Sequence, residues 1–549
     1  MQSLKEKQLK SRRLTAMVVA SLVGVAVVAQ TAPKVPAKPA LVLGITVEGL
    51  SDTYLELLRG YFGANGFNRL INDGVVFTDV DYGPNIDATA ATAMLVSGAP
   101  ASISNISAAT VYDKELRRAV SILNDASTLG NFTSETLSPK ALAVSTLADE
   151  LRVAEGGLNG VYSIAPDAGQ AIILAGHAGS GAFWINDVNG NWSTSTAYKE
   201  VPNPINNRNF TSSLASRLDT LKWTPSIAPE LYPDIPAYRK AYPFRHVFQR
   251  NNVDRYRAFK RSAPANREVT DLAADFISSM GLGKGKTTDM VSLAYNVAPY
   301  PYSKDADSRL ETMDAYLRLD ADLARLFATI DAAGPGMNRT LVVLAGVPAP
   351  PAGKRDEERF GVPHGVFSPR KAQSLLNVYL MALHGNGEWI AGYHNNQIFL
   401  NAALAKERDV DIVALRRESA EFLSRMAGVC RSFTLDDVLA GKAGNDAEAM
   451  RRNTVVGHSG DVFITITPGW EIEAADVNAG QNSRPMVSRL GTPMFPGFIL
   501  APGVAHRVIG TPVDATVLAP TVARILRIRS PNGAESAPLR FCPPSFPIH

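Results

Sequence analysis

Residues 84–98 read Pro-Asn-Ile-Asp-Ala-Thr-Ala-Ala-Thr-Ala-Met-Leu-Val-Ser-Gly. They follow a strand-like run at 75–80 and open a helix of small residues. A loop that hands over to a helix N-terminus gathers unpaired backbone N–H groups, an arrangement suited to an anion. Upstream, residues 40–47 (Ala-Leu-Val-Leu-Gly-Ile-Thr-Val) form a continuous apolar, β-branched run. Such a run fits a central parallel strand covered on both faces.

Working outward, strand and helix signals alternate. Residues 52–58 and 142–153 read as helices, and 160–165, 171–175 and 181–187 as strands. From 192 to about 286 the composition turns rich in Asn, Pro, Tyr and Arg, which reads as an inserted cap. Strand signals resume at 289–295. A long helix over 305–331 carries Leu310, Met313, Leu317, Leu323, Leu326 and Ile330 on one face. Runs at 340–345, 375–383, 462–467 and 497–500 read as strands, and 411–426 and 515–528 as helices. The expected fold is an α/β sandwich, a mostly parallel sheet flanked by helices.

The chain has 549 residues, 46% of them hydrophobic, and a net charge of +3. That supports a large core and argues against nucleic acid as partner, which usually requires a basic face. Lys5, Lys7, Lys10, Arg12 and Arg13 precede an apolar run at 14–29, and a Pro/Ala/Lys linker covers 30–39. This pattern reads as a signal peptide (1–29), with an uncleaved anchor as the alternative, so a periplasmic or secreted mature domain (40–549) with no stable membrane span after cleavage is expected. Cys430 and Cys542 leave one disulfide or two thiols open.

The 84–98 stretch resembles the nucleophile loop of the alkaline phosphatase superfamily, in its type I phosphodiesterase/nucleotide pyrophosphatase-like branch. Asn189-Gly190-Asn191-Trp192-Ser193-Thr194-Ser195, Tyr316-Leu317-Arg318-Leu319-Asp320, Ser459-Gly460-Asp461 with Pro468-Gly469-Trp470, Ala519-Pro520-Thr521-Val522-Ala523 and Pro531-Asn532-Gly533 resemble the family's motifs in order and spacing. The resemblance covers roughly residues 40–540 and implies an alkaline-phosphatase-like sandwich.

The resemblance also implies a Thr or Ser nucleophile and two zinc-type ions held by Asp and His ligands. The nucleophile position falls on Ala88 and the family's following His on Thr92. The ligand positions fall on Glu48, on Pro299 and Ser303, and on Val347 and Pro348. A fourth position, a His, falls near 482–486, where there is none. The family's phosphate-binding Asn falls near Ala109, and its Lys-x-Arg pair on Asp167 and Gly169. An Asp in place of a Lys repels a phosphate dianion.

The expected function is therefore a secreted, catalytically inactive binding or scaffold protein without a cofactor, its partner an unknown ligand or an envelope protein. The rival is an active metal-dependent phosphatase or phosphodiesterase, with zinc and relocated groups such as Thr89, Asp87 and Glu48. Against it, Asp87 reads as an N-cap and Thr89 and Thr92 as first-turn residues. Glu48 is expected to hydrogen-bond the loop. Gly49, Asp87, Thr89, Thr92, Asp167 and Ser303 are expected to line the cleft beside Glu48. His458, Ser459 and Asp461 suggest a triad by composition only.

Overall fold

The computed structural model describes residues 37–305, 307–350, 364–473, 486–488 and 494–540. Both segments of the expected signal peptide and linker up to residue 36, the 482–485 ligand position and Cys542 lie outside the described residues. Cys430 is exposed. No helix among the described residues is long and apolar enough to cross a membrane.

The main sheet is built from β1 (Leu41–Glu48), β2 (Val75–Asp81), β3 (Val161–Ala165), β4 (Gly181–Ile185), β5 (Trp192–Ser195), β6 (Asp289–Asn296), β7 (Thr340–Val347), β8 (Phe495–Leu500) and β9 (Arg507–Ile509). Their order is β9-β2-β8-β7-β1-β6-β3-β4-β5, with the short Gly130–Asn131 strand at the far edge. The strands from β7 across β1, β6 and β3 to β4 run parallel. β8 lies antiparallel between β2 and β7, and β5 is antiparallel to β4. β1 carries a continuous apolar run because helices cover both faces of the centre, and Leu41, Leu43 and Val47 are fully buried.

Helices α1 (Ala88–Ser97), α2 (Ala168–Ala175), α3 (Arg255–Lys260), α4 (Ala263–Met280) and α5 (Arg309–Ala333) position the site. Two of them clarify segments where the sequence reading fails. Residues 171–175 are helix α2, not a strand, and residues 375–383 lie inside the helix Pro369–His384, not in a strand. A short apolar run fits either element by periodicity alone. In the second helix Ala372, Leu376 and Leu380 are buried at four-residue spacing while Leu375, Val378 and Leu383 are exposed. Val462–Ile466 is a strand, but it belongs to a separate four-stranded sheet with Ile390–His394, Gln397–Leu400 and Val429–Thr434.

The long helix α5 acts as a spine through buried carboxylates, each satisfied by a different segment. Asp320 accepts from the backbone N–H of Gly63 (2.8 Å) and Phe67 (2.7 Å). Asp314 accepts from Trp223 Nε1 (2.6 Å), Ser226 N (2.6 Å) and the Tyr232 hydroxyl (2.8 Å). Glu311 accepts from Arg239 (2.6 Å) and pairs with His246 (3.2 Å). The Asp314 and Glu311 bonds anchor the 196–262 segment on the sheet's helical layer, and the Asp320 bonds hold the start of the 63–73 segment. Trp192–Ser195 is itself a sheet strand, and α4 packs against β6.

Candidate functional site

The carboxyl ends of the parallel strands are where an open α/β sheet places its ligands. Here β1, β6 and β7 end level with one another. Glu48 is in register with Asn296 on one side and Val347 on the other. Gly49 turns the chain away with φ +78, its N–H donating to the Val347 carbonyl at 2.9 Å. A Cβ on Gly49 would stand 2.7 Å from the Ala298 Cα, so the close approach of this turn to the chain after β6 requires glycine. Tyr316 on α5 clamps the turn from below. Its hydroxyl donates to the Gly49 carbonyl (3.2 Å) and accepts from Ser51 N (2.7 Å).

The 84–98 stretch arrives from β2 and enters α1. Asp87 is the N-cap: one oxygen accepts from Ala90 N at 3.0 Å and the other from Ala109 N at 2.7 Å. This brings Ala109 to the loop through its backbone. Burial raises the Asp87 pKa, outweighing these backbone donors. Asn453, from the lobe holding the four-stranded sheet, donates to the carbonyls of Tyr82 (2.9 Å) and Pro84 (3.1 Å) and fixes the loop from its other side.

Thr92 is fully buried, and its hydroxyl donates to the Ala88 carbonyl at 2.7 Å. It therefore lines no cleft, which corrects that expectation: a first-turn threonine satisfies itself on the preceding turn. Thr89 is buried against α2, where a Cβ on Gly169 would stand 2.7 Å from its Oγ1. The smallness of Gly169 lets α2 approach α1 closely at this point.

Glu48 does not bond the loop as expected. Both its oxygens accept from Nη1 of Arg261, at 2.8 and 2.9 Å. Nη2 of Arg261 reaches Asp167 at 3.1 Å. Asp167 in turn pairs with Lys260 Nζ (2.7 Å), and Lys260 with Asp187 (2.5 Å). Arg257 continues the chain from Asp187 (3.1 Å) to Asp254 (3.4 Å). Charges therefore alternate along this edge from Glu48 to Asp254, and each ion between these two ends touches two of opposite sign.

Their titration follows their surroundings. Burial raises the Glu48 pKa more than Arg261 lowers it. Burial pushes Asp167 the same way, but Arg261 and Lys260 more than offset it and hold the carboxyl well below the usual range. Asp167 and then Glu48 hold Arg261 firmly charged.

The remaining family positions carry no charge to this edge. Pro299 and Ala298 follow β6 half-buried, and Val347 and Pro348 are buried. The Ser303 hydroxyl donates to Glu311 Oε1 at 2.7 Å, within the Arg239–His246 cluster on α5.

These residues do not fit a pair of zinc-type ions. Pro299, Val347 and Pro348 offer no side-chain donor, and Glu48 is already engaged by a guanidinium. Among the described residues, no cluster of three or more His, Cys, Asp or Glu side chains could hold a metal ion.

Two histidines lie away from this edge in structural settings. His177 pairs with Asp149 (3.2 Å) and with the Leu142 carbonyl (2.9 Å), a structural position. The composition triad is not assembled. Asp461 accepts from Arg416 at 2.9 Å and from Leu400 N at 2.8 Å, and burial lowers the pKa of His458.

Sequence reasoning missed Lys260 and Arg261. The available signal was the run Arg255-Tyr256-Arg257-Ala258-Phe259-Lys260-Arg261, four cations in seven residues with no acid among them. Such cations need carboxylate partners elsewhere when half-buried, and Glu48, Asp167 and Asp187 are those partners.

The sheet order and the loop into α1 make an alkaline-phosphatase-like architecture, and the chain is a member of the alkaline phosphatase superfamily. It is similar to the alkaline phosphatase PhoV of Synechococcus elongatus, 26% identical over 528 residues, 91% of this chain and 92% of that protein. It is likewise 26% identical over 548 residues to the alkaline phosphatase PafA of Elizabethkingia meningoseptica, covering 96% of this chain and 97% of the relative. The crystal structure of wild-type PafA superposes with a TM-score of 0.80 at 22% identity, covering 92% of this chain and 99% of that one. No family model matches the chain.

Proposed function

We propose that this chain is an exported, catalytically silent member of its superfamily that keeps the strand-end cleft for binding. The observation that carries the reading is the engagement of both Glu48 oxygens by Arg261, 2.8 and 2.9 Å away, at the position where the resemblance implies a metal ligand. Ala88 at the nucleophile position supports it, since a methyl group cannot attack phosphorus. Thr89 is a poor substitute because it is buried against Gly169. The apolar and proline residues Pro299, Val347 and Pro348 suit a peptide, a glycan or an envelope protein better than a phosphate ester. Export rests on the basic, then apolar, N-terminal pattern.

One observation favours the hydrolytic rival. Burial raises the pKa of both Glu48 and Asp87, as in pairs of catalytic carboxylates. Turnover of aryl phosphate monoesters and diesters, measured on the wild type, Glu48→Gln and Thr89→Ala, separates the two. Background rates throughout support the silent reading. Wild-type turnover that falls in Glu48→Gln or Thr89→Ala establishes a hydrolase with relocated groups.

A further inference from the structure

We propose that Glu48 and Asp167 build a cation site whose resident ion is the chain's own guanidinium, Arg261, so that this edge recognises a guanidinium rather than a metal ion. The inference rests on the silent reading of the cleft and deepens it by naming the chemistry the edge accepts.

Three features set this contact apart from a surface ion pair. First, Glu48 is placed by the sheet. It closes a central strand, its side chain is 6% exposed, and it offers both oxygens to one nitrogen. Second, Asp167 stands at the N-cap of α2 but makes no side-chain cap hydrogen bond. It forgoes the bond an N-cap aspartate normally makes and turns to Arg261 and Lys260. Third, Arg261 is held at a fixed junction. It is the C-cap of α3, and Ser262, the N-cap of α4, is fully buried with its hydroxyl donating to the Phe259 carbonyl at 2.6 Å. The guanidinium is thereby presented to the edge by backbone that two helices fix.

The planar fork of the guanidinium matches the arrangement, one nitrogen for each carboxylate. Without it, Glu48 loses its cation partner beside the like charges of Asp167 and Asp87, and Asp167 keeps Lys260 alone. A vacated site of this geometry requires a small cation, and the shape of the contact selects another guanidinium.

The test is chemical rescue. Arg261→Ala is melted with increasing methylguanidinium in the low-millimolar range, with tetramethylammonium as the ionic control. The expected result is a melting temperature several degrees below wild type, of which methylguanidinium restores at least half in a saturable manner. The wild type and the Glu48→Gln/Arg261→Ala double variant show no such response. If Arg261→Ala does not fold, Arg261→Gln, which keeps most of the volume, is titrated in the same way. No rescue of the foldable variant by methylguanidinium overturns the inference, as does equal rescue by tetramethylammonium. Zinc titration of the wild type completes it. A stoichiometric site that disappears in Glu48→Gln shows that Arg261 is not the resident cation. Turnover of an aryl phosphate by the wild type sinks the silent reading independently of the rescue result, so the two failures are distinguishable.

Discussion

Removing either end of the Glu48–Arg261 contact has unequal consequences, and the inequality is calculable from burial. Arg261→Ala strands a carboxylate whose side chain is 6% exposed. Stranding a buried charge costs about 3–5 kcal/mol. Arg261 itself is 31% exposed, so solvent screens part of the contact and the expected loss is about 2–3 kcal/mol. Glu48→Gln leaves Arg261 with Asp167 and with water, and the expected loss is about 1 kcal/mol. The double variant no longer strands a charge. It should be more stable than Arg261→Ala alone by about 1 kcal/mol, a non-additivity typical of directly contacting ions. Urea unfolding of the four proteins, followed by tryptophan fluorescence, measures this cycle. Additive losses, or a Glu48→Gln variant less stable than Arg261→Ala, would mean that Arg261 does not neutralise Glu48.

Four further outcomes follow from neighbouring geometry. Asp314→Ala leaves four donors, from Trp223, Ser226, Tyr232 and Arg318, without their acceptor and should cost about 3 kcal/mol or more in urea unfolding. Gly49→Ala places a methyl group 2.7 Å from the Ala298 backbone at φ +78 and should cost about 2 kcal/mol, seen as a lower melting temperature. Leu376→Ala should cost about 2–5 kcal/mol while Val378→Ala stays within about 0.5 kcal/mol, because a helix buries one and exposes the other; a strand would place both on one face. The hydrogen bond to Asp149 raises the pKa of His177 above its usual 6.5. The stability this gives is complete below the unfolded value and is lost as pH rises through the higher folded value, so His177→Asn should flatten the fall in stability that begins above about pH 6.5.

The centre of the sheet was legible because its strands are buried on both faces. Residues 40–47 and 340–345 are continuous apolar runs for that reason, and no helix of comparable length competes with them. The segments 171–175 and 375–383 were misread because a short apolar run carries no period. The deciding signals lay at their ends: Asp167 and Gly176 around α2, and Ser368, whose side chain accepts from Lys371 N, ahead of Pro369. The positions Glu48, Asp87, Thr89, Asp167 and Val347 could be found by spacing along the chain. Their partners could not, because Arg261 and Lys260 reach them from a segment about 90 to 210 residues away in sequence, and the cation-rich run 255–261 shows that carboxylates are needed without showing which ones. Glu48 was assigned to the loop for the same reason: a carboxylate at a strand end shows its chemistry only with the cation in place.

The most direct test of the account is the metal content of protein purified without chelator, measured by elemental analysis on the wild type and on Glu48→Gln. Zinc well below one equivalent per chain is expected in both. Zinc near one or two equivalents in the wild type, falling in Glu48→Gln, would contradict it and place a metal where the structure places Arg261.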